Sequence, residues 1–226
     1  MFVSQSMTQE VVTIDKDADI YDAHRLMGEH RIRHLPVIDS RNLLIGIVTD
    51  RDLRSALPQG IYKKGGGKSE SEKKVDLKAK DIMSIDPVTI SPQLTIQDAL
   101  LLAQKTRVGA LPVVDEANRL TGILSVRDLL RAFINVLGIG EPGTLICIVV
   151  EEKIGQMKKI VDAITEENVS MGSILVARYW EEGKRVVFAY LLTLNVTGVK
   201  KRLEDVGFEL LDPMRWYMDQ LPKARA

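Results

Sequence analysis

Two short motifs of the sequence place a hydroxyl three residues before a carboxylate. Thr49-x-x-Asp52 and Ser125-x-x-Asp128 each end a β-rich apolar run and open a stretch with helical periodicity. One interpretation is a capping box, which stabilises a helix by about 1 kcal/mol. The other is a binding site, because a helix start offers free N–H groups to a phosphate and a carboxylate accepts hydrogen bonds from a sugar diol. The residues alone leave both interpretations open.

The two motifs lie at the same place in an internal repeat. Met7–Leu53 aligns with Met83–Leu129 without a gap, and both copies contain Val-Thr-Ile, Leu-Pro-Val and Arg-Asp-Leu. The hydrophobic periodicity of each copy predicts the order strand, helix, strand, strand, helix, with turn formers between the adjacent strands. One copy is too small to bury its own sheet face, so we expect the two copies to pack together.

The repeated residues resemble those of CBS domains, which occur in pairs known as Bateman modules. The resemblance is carried by Leu-Pro-Val-[Ile/Val]-Asp, by the Gly46-Ile and Gly122-Ile pairs, and by the two hydroxyl–carboxylate motifs. It implies a mixed α/β (α+β) fold, with one repeat over residues 1–57 and another over 81–138. Residues 58–80 between them are rich in Gly, Ser, Lys and Glu, which predicts a flexible linker.

The resemblance also implies two adenosine-binding clefts, each built from both repeats. In this family the adenine lies against the first strand and the segment before Leu-Pro-Val of one repeat, and the ribose acid comes from the other repeat. Carried over by position, cleft 1 comprises Val12, Thr13, Ile32, Arg33, His34, Pro36, Ser125, Arg127 and Asp128. Cleft 2 comprises Thr49, Arg51, Asp52, Val88, Thr89, Val108, Gly109, Ala110 and Pro112.

The two predicted clefts differ in charge. Arg33 and His34 in cleft 1 could contact a phosphate, or they could lie in a solvated turn, whereas Gly109 and Ala110 stand at the matching positions of cleft 2. We therefore expect cleft 1 to bind a phosphorylated nucleotide more tightly. Arg51 and Arg127 either contact phosphate or pair with acids at the surface.

The sequence after residue 143 follows another pattern. Its periodicity predicts the order βαββαβ, which is the ferredoxin-like arrangement. Residues 144–212 resemble an ACT domain, whose ligand loop would here be Glu152 to Gly155, although the proline of the family's loop is missing. An amino-acid site and a purely structural loop both remain open. Residues 213–226 form a tail, and the order of the whole chain resembles the AcuB-type acetoin-utilisation proteins.

Composition narrows the function classes. Thirty-one basic and 31 acidic residues give a net charge of zero, so no field gathers nucleic acid or a membrane surface. No apolar run reaches the about 18 residues that span a bilayer, and a single cysteine and three histidines predict a cytoplasmic protein with no metal site. Together with these exclusions, the resemblance to CBS domains implies a non-catalytic homodimer that senses AMP, ADP or ATP, uses no catalytic cofactor and regulates a protein target. A structural adaptor is the alternative, and an enzyme is less favoured.

Overall fold

The computed structural model describes residues 1–58 and 75–211, without the side chains of residues 179 and 180. The chain divides into two compact units, the first over Met1–Ala132 and the second beginning at Phe133. The larger part of the predicted linker (59–74), the last residue of the ACT-like segment (212) and the predicted tail (213–226) lie outside the described residues.

The main helices and the hairpin strands of the first unit follow the order that the repeat predicts. The first repeat contributes α1 (Val3–Ser6), β1 (Ile14–Asp15), α2 (Ile20–His30), β2 (His34–Ile38), β3 (Leu44–Thr49) and α3 (Asp50–Ala56). The second contributes α4 (Ala79–Ile82), β4 (Ser84–Ile85), α5 (Ile96–Thr106), β5 (Ala110–Val114), β6 (Leu120–Ser125) and α6 (Val126–Leu137). The short elements α1, α4 and β4 are additional to that order. The mixed α/β fold with a tandem pair is thereby confirmed.

The strand predicted at the start of each repeat is shorter than expected. In the first repeat it is reduced to β1, which pairs in parallel with the end of β2, Ile14 opposite Val37. In the second repeat a single parallel bridge joins Ile90 to Val113. The hairpins agree more closely, because β2–β3 and β5–β6 are antiparallel with the same register and the same irregularity near their ends.

Residues near the start of each repeat pack on the sheet of the other repeat. We call Met7–Thr8 and Met83–Ile85 the leading segments. Thr8 bridges Ile123 of β6, and β4 pairs with Gly46 and Ile47 of β3. A Cβ atom on Gly46 would lie 2.5 Å from Met83 Sδ, and one on Gly122 would lie 2.5 Å from Met7 Sδ. Glycine at both Gly-Ile positions thus lets a leading segment cross closely over the strand, since a Cβ would press on its methionine and on its backbone carbonyl.

Two asparagines join the hairpins of the repeats. Asn42 Nδ2 donates to the carbonyl of Leu120 at 3.0 Å, and Asn118 Nδ2 donates to the carbonyl of Leu44 at 3.0 Å. Both residues have positive φ, 63° and 59°, a conformation that asparagine tolerates better than most residues. These reciprocal bonds connect the repeats along the hairpin turns.

The second unit confirms the predicted order βαββαβ. It contains β7 (Thr144–Glu151), α7 (Gln156–Glu166), β8 (Met171–Glu181), β9 (Lys184–Leu191), α8 (Thr197–Asp205) and β10 (Glu209–Leu211). The strands form one antiparallel sheet in the order β10-β7-β9-β8. Apolar side chains of β7, α7, β9 and α8 form its core. Cys147 on β7 is buried, and burial raises the pKa of its thiol.

No helix within residues 1–58 and 75–211 is long and apolar enough to cross a membrane. Over the same part of the chain, no cluster of three or more His, Cys, Asp or Glu side chains is arranged to hold a metal ion.

Two candidate ligand clefts

Both hydroxyl–carboxylate motifs form capping boxes. Asp52 Oδ2 accepts hydrogen bonds from the Thr49 N–H at 2.8 Å and from Thr49 Oγ1 at 2.7 Å, and the Asp52 N–H donates back to Thr49 Oγ1 at 3.3 Å. Ser125 and Asp128 repeat this pattern with distances of 2.9, 2.5 and 3.3 Å. The capping interpretation is thus confirmed for both motifs. Each capping box uses only one oxygen, Oδ2, of its carboxylate.

The second carboxylate oxygens differ between the two motifs. Asp128 Oδ1 lies 3.3 Å from a guanidinium nitrogen of Arg131, whose side chain is 67% exposed. Asp128 itself is only 8% exposed and is the one buried charged residue among those the structure describes. Asp52 is half-buried, and its Oδ1 has no hydrogen-bond partner among the described residues. Each carboxylate therefore has an oxygen available to a ligand, but Asp128 would first have to release an exposed ion pair.

The first cavity corresponds to cleft 1. Its volume is about 550 Å³, and it brings Val12, Ile32, Arg33 and His34 of the first repeat together with Ser125, Arg127 and Asp128 of the second. It is also lined by residues that the sequence did not assign to this cleft, namely Thr8, Glu10, Val11, His30, Arg31, Gly109, Ala110, Ile123 and Arg131.

The second cavity corresponds to cleft 2. Its volume is about 1150 Å³, and it contains Thr49, Arg51, Asp52, Val88, Val108, Gly109 and Ala110 from the predicted set. The additional lining residues are Arg33, His34, Ile47, Asp50, Arg54, Ser84, Ile85, Asp86, Pro87 and Arg107.

Four predicted residues are absent from the described linings of these two cavities. They are Thr13, Pro36, Thr89 and Pro112. Pro36 and Pro112 are buried inside β2 and β5, opposite Ile47 and Ile123. Their position indicates a role in the hairpin strands.

The cavities share four lining residues, Arg33, His34, Gly109 and Ala110, which we call the common wall. His34 lies opposite Thr49 in the β2–β3 ladder, and Ala110 lies opposite Ser125 in the β5–β6 ladder. The His34 ring approaches the second repeat, because a Cβ on Gly109 would lie 2.8 Å from His34 Nε2. The structure therefore adds Arg33 and His34 to cleft 2 and Gly109 and Ala110 to cleft 1.

The common wall lowers the pKa of His34. Burial of the ring is the largest cause and the charge of Arg33 is the next, while Asp50 and Asp52 oppose them. The imidazole is consequently neutral at pH 7 and gains a proton only under more acidic conditions.

Four lining arginines were missed by the sequence analysis, two in each cavity. Arg54 pairs with Asp50 at 2.9 Å and Arg131 with Asp128, so part of their charge is already balanced. Arg31 and Arg107 end α2 and α5 in the left-handed conformation, with φ of 53° and 57°. These last two are identical at matching positions of the repeat, and that identity was a signal that could have identified them.

The predicted ACT-like ligand loop is engaged in contacts of its own. The Glu152 carboxylate pairs with Arg185 of β9, and the Glu152 N–H donates to the Gly183 carbonyl at 2.9 Å. Arg185 Nε is buried without a hydrogen-bond partner among the described residues. Gly155 precedes α7 with φ of 92°, a conformation that suits glycine at the entry to the helix.

Comparisons with known proteins agree with the first unit. The family model "CBS domain" matches residues 3–59 and 79–135. A CBS domain-containing protein of Dictyostelium discoideum is 36% identical over 137 residues, which cover 61% of this chain and 94% of that protein. Inosine-5'-monophosphate dehydrogenase of Korarchaeum cryptofilum is 36% identical over 121 residues, 54% of this chain but only 22% of the enzyme.

A solved structure extends the comparison to three dimensions. The crystal structure of a putative acetoin utilization protein (AcuB) from Vibrio cholerae superposes with a TM-score of 0.50 at 29% identity. The match covers 63% of this chain and 98% of that one. The family model and the Dictyostelium relative thus both assign the two repeats to CBS domains.

Proposed function

This chain belongs to the CBS-domain family, and we propose that its paired repeats bind an adenosine nucleotide as a regulatory, non-catalytic signal. The candidate ligands are AMP, ADP and ATP. The observation that carries the proposal is the position of each capping carboxylate, which lines a cavity together with arginines of both repeats. The cavity volumes of about 550 and 1150 Å³ are large enough for a nucleotide.

The chemistry of cleft 1 supports recognition of a ribose phosphate. Asp128 would accept hydrogen bonds from the ribose diol through Oδ1, after Arg131 has turned into solvent. Ser125 can redirect its hydroxyl proton to a phosphate, because Asp128 Oδ2 still holds the Ser125 N–H at 2.9 Å. Arg127 and Arg33 supply forked, permanently charged donors for phosphate oxygens.

Cleft 2 supports a related but more open site. Asp52 takes the role of the ribose acid, and Arg51 and Arg107 line the cavity as exposed cations. Because α3 spans only seven residues, phosphate binding here would depend on these arginines more than on the helix start. Pro36 and Pro112 would support the ligand only through the strands on which they lie. Thr13 and Thr89 precede β1 and the bridged Ile90, and they would act only through those neighbours.

The second unit would carry the signal onward. We propose that it is an ACT-like domain over residues 144–212 that serves dimerisation or binds an effector or partner protein. Glu152 and Gly155 would contribute to an amino-acid site only if the Glu152–Arg185 pair opens. On the first unit, Leu101 and Leu130 are 63% and 60% exposed, which supports burial against a second copy in a homodimer.

The main alternative is an adaptor whose repeats only dimerise. The match to the dehydrogenase covers about a fifth of that enzyme, so it gives no support to a catalytic activity of this chain. The acetoin name of the AcuB relative likewise suggests a metabolic setting, in which the chain would act in the cytoplasm on a protein target.

The proposal is tested by thermal melting and calorimetry of the full chain. The panel is AMP, ADP, ATP and adenosine, with GMP as a control for the base. A ligand at a hundred times its dissociation constant adds about 2.7 kcal/mol to the free energy of unfolding, so a clear rise in melting temperature is expected. No shift and no heat with every adenosine compound would overturn nucleotide sensing and favour the adaptor.

A further inference from the structure

The common wall makes the two clefts neighbours rather than separate sites. Arg33 and His34 come from the first repeat and Gly109 and Ala110 from the second, yet all four residues line both cavities. The two repeats differ in sequence at this wall, since Gly109 and Ala110 stand at the positions that match Arg33 and His34. Only the first repeat contributes a cation there, Arg33, and both clefts have to use it.

We infer that the two clefts bind anionic ligands with negative cooperativity through the common wall. Once a phosphorylated ligand occupies one cleft, the other binds a second phosphorylated ligand more weakly, while its affinity for an uncharged nucleoside-type ligand is unchanged. This inference rests on the proposed function and names the coupling between its two sites.

The charges around the common wall support negative cooperativity. Beyond one ion-paired arginine in each cleft, two more exposed arginines remain, Arg31 and Arg127 in cleft 1 and Arg51 and Arg107 in cleft 2, so a first anion is well matched in either place. A forked, two-bond contact directs the guanidinium of Arg33 towards one phosphate. A second phosphate therefore meets an already neutralised wall and also the charge of the first ligand.

Gly109 provides the physical contact between the repeats at this wall. Because a Cβ there would lie 2.8 Å from His34 Nε2, any side chain at position 109 would displace the His34 ring. Position 109 thus allows a residue of the first repeat to reach into the space beside the second. The matched control is Gly28 on α2, where a Cβ would meet nothing within 4 Å.

The test compares wild type with single-cleft variants in calorimetric titrations of the full chain. Asp52→Asn leaves cleft 1 and Asp128→Asn leaves cleft 2, and each variant gives the intrinsic affinity of the remaining cleft for AMP. For wild type, the second AMP is expected to bind about tenfold more weakly than it does to the weaker single-cleft variant, by repulsion between two phosphates. This difference between the two affinities should shrink in high salt and should vanish when adenosine replaces AMP.

A second measurement addresses the wall itself. Arg33→Gln should weaken AMP binding to both single-cleft variants, and Gly109→Ala should change the affinity of both, whereas Gly28→Ala should change neither.

The possible failures can be told apart. Wild-type stepwise constants that equal those of the single-cleft variants, or AMP binding in only one of those variants, would overturn the coupling and leave nucleotide sensing intact. An absence of heat with AMP, ADP, ATP and adenosine would overturn the proposed function as well.

Discussion

Replacing the two capping carboxylates separates their part in folding from their part in binding. Asp52→Asn and Asp128→Asn keep the size of each side chain but remove its charge. A hydrogen bond to a charged group contributes about 1.5–3 kcal/mol, so loss of the ribose contact should weaken nucleotide binding to that cleft about 10- to 150-fold. The weakened capping box should lower the free energy of unfolding of each variant by about 1 kcal/mol.

A third capping box provides the control. In Thr95–Asp98, at the start of α5, Asp98 Oδ2 accepts from the Thr95 N–H at 2.9 Å and from Thr95 Oγ1 at 2.6 Å. This geometry matches that of the two clefts, but neither residue lines either cavity. Asp98→Asn should therefore lower the melting temperature and leave nucleotide affinity unchanged.

The assay is calorimetric titration of each variant with AMP, together with denaturant unfolding. If Asp98→Asn weakens binding as much as the other two substitutions, the loss comes from helix stability and the ribose assignment fails. The assignment also fails if Asp52→Asn and Asp128→Asn both bind AMP within threefold of wild type, since a lost charge-assisted bond costs about tenfold or more.

Three further predictions concern packing, pH and assembly. Gly46→Ala and Gly122→Ala should each destabilise the chain by about 1–3 kcal/mol in denaturant unfolding through overpacking against a leading segment, and Gly28→Ala should stabilise it. Because the pKa of His34 lies below its ordinary 6.5, the free energy of unfolding should fall as the pH drops below 6.5. His34→Gln should flatten this part of the stability–pH profile, and an unchanged profile would contradict the burial of the ring. Light scattering at micromolar concentration should give a mass twice that of one chain, and a monomer would refute the dimer.

The elements were predictable wherever local periodicity determines them. The hairpins, the amphipathic helices and the βαββαβ order each follow from apolar spacing within about a dozen residues. The capping boxes were visible as well, because their partners are three residues apart. The short β1 was not, since only two of its residues reach the neighbouring strand.

Contacts between the repeats could not be read from either repeat alone. Arg33 and His34 line both cavities because the repeats pack face to face, and nothing in their local sequence indicates the second contact. The Glu152–Arg185 pair likewise depends on the register between β7 and β9, which places Arg185 opposite Val150 and so within reach of Glu152 just after β7. Tertiary packing decided both cases.

The crossed leading segments have a consequence for any attempt to divide the chain. Met7 and Thr8 cover the sheet of the second repeat, whereas the sheet of the first is covered by residues 83–85. A fragment that ends at residue 58 would therefore contain Met7 and Thr8 without the sheet on which they pack, and its own strand β3 would lack its partner β4. Two such fragments could close each other by exchanging these segments, which is the geometry of a domain swap. The two repeats of this chain are arranged like such a swapped dimer, with both halves joined covalently in one chain.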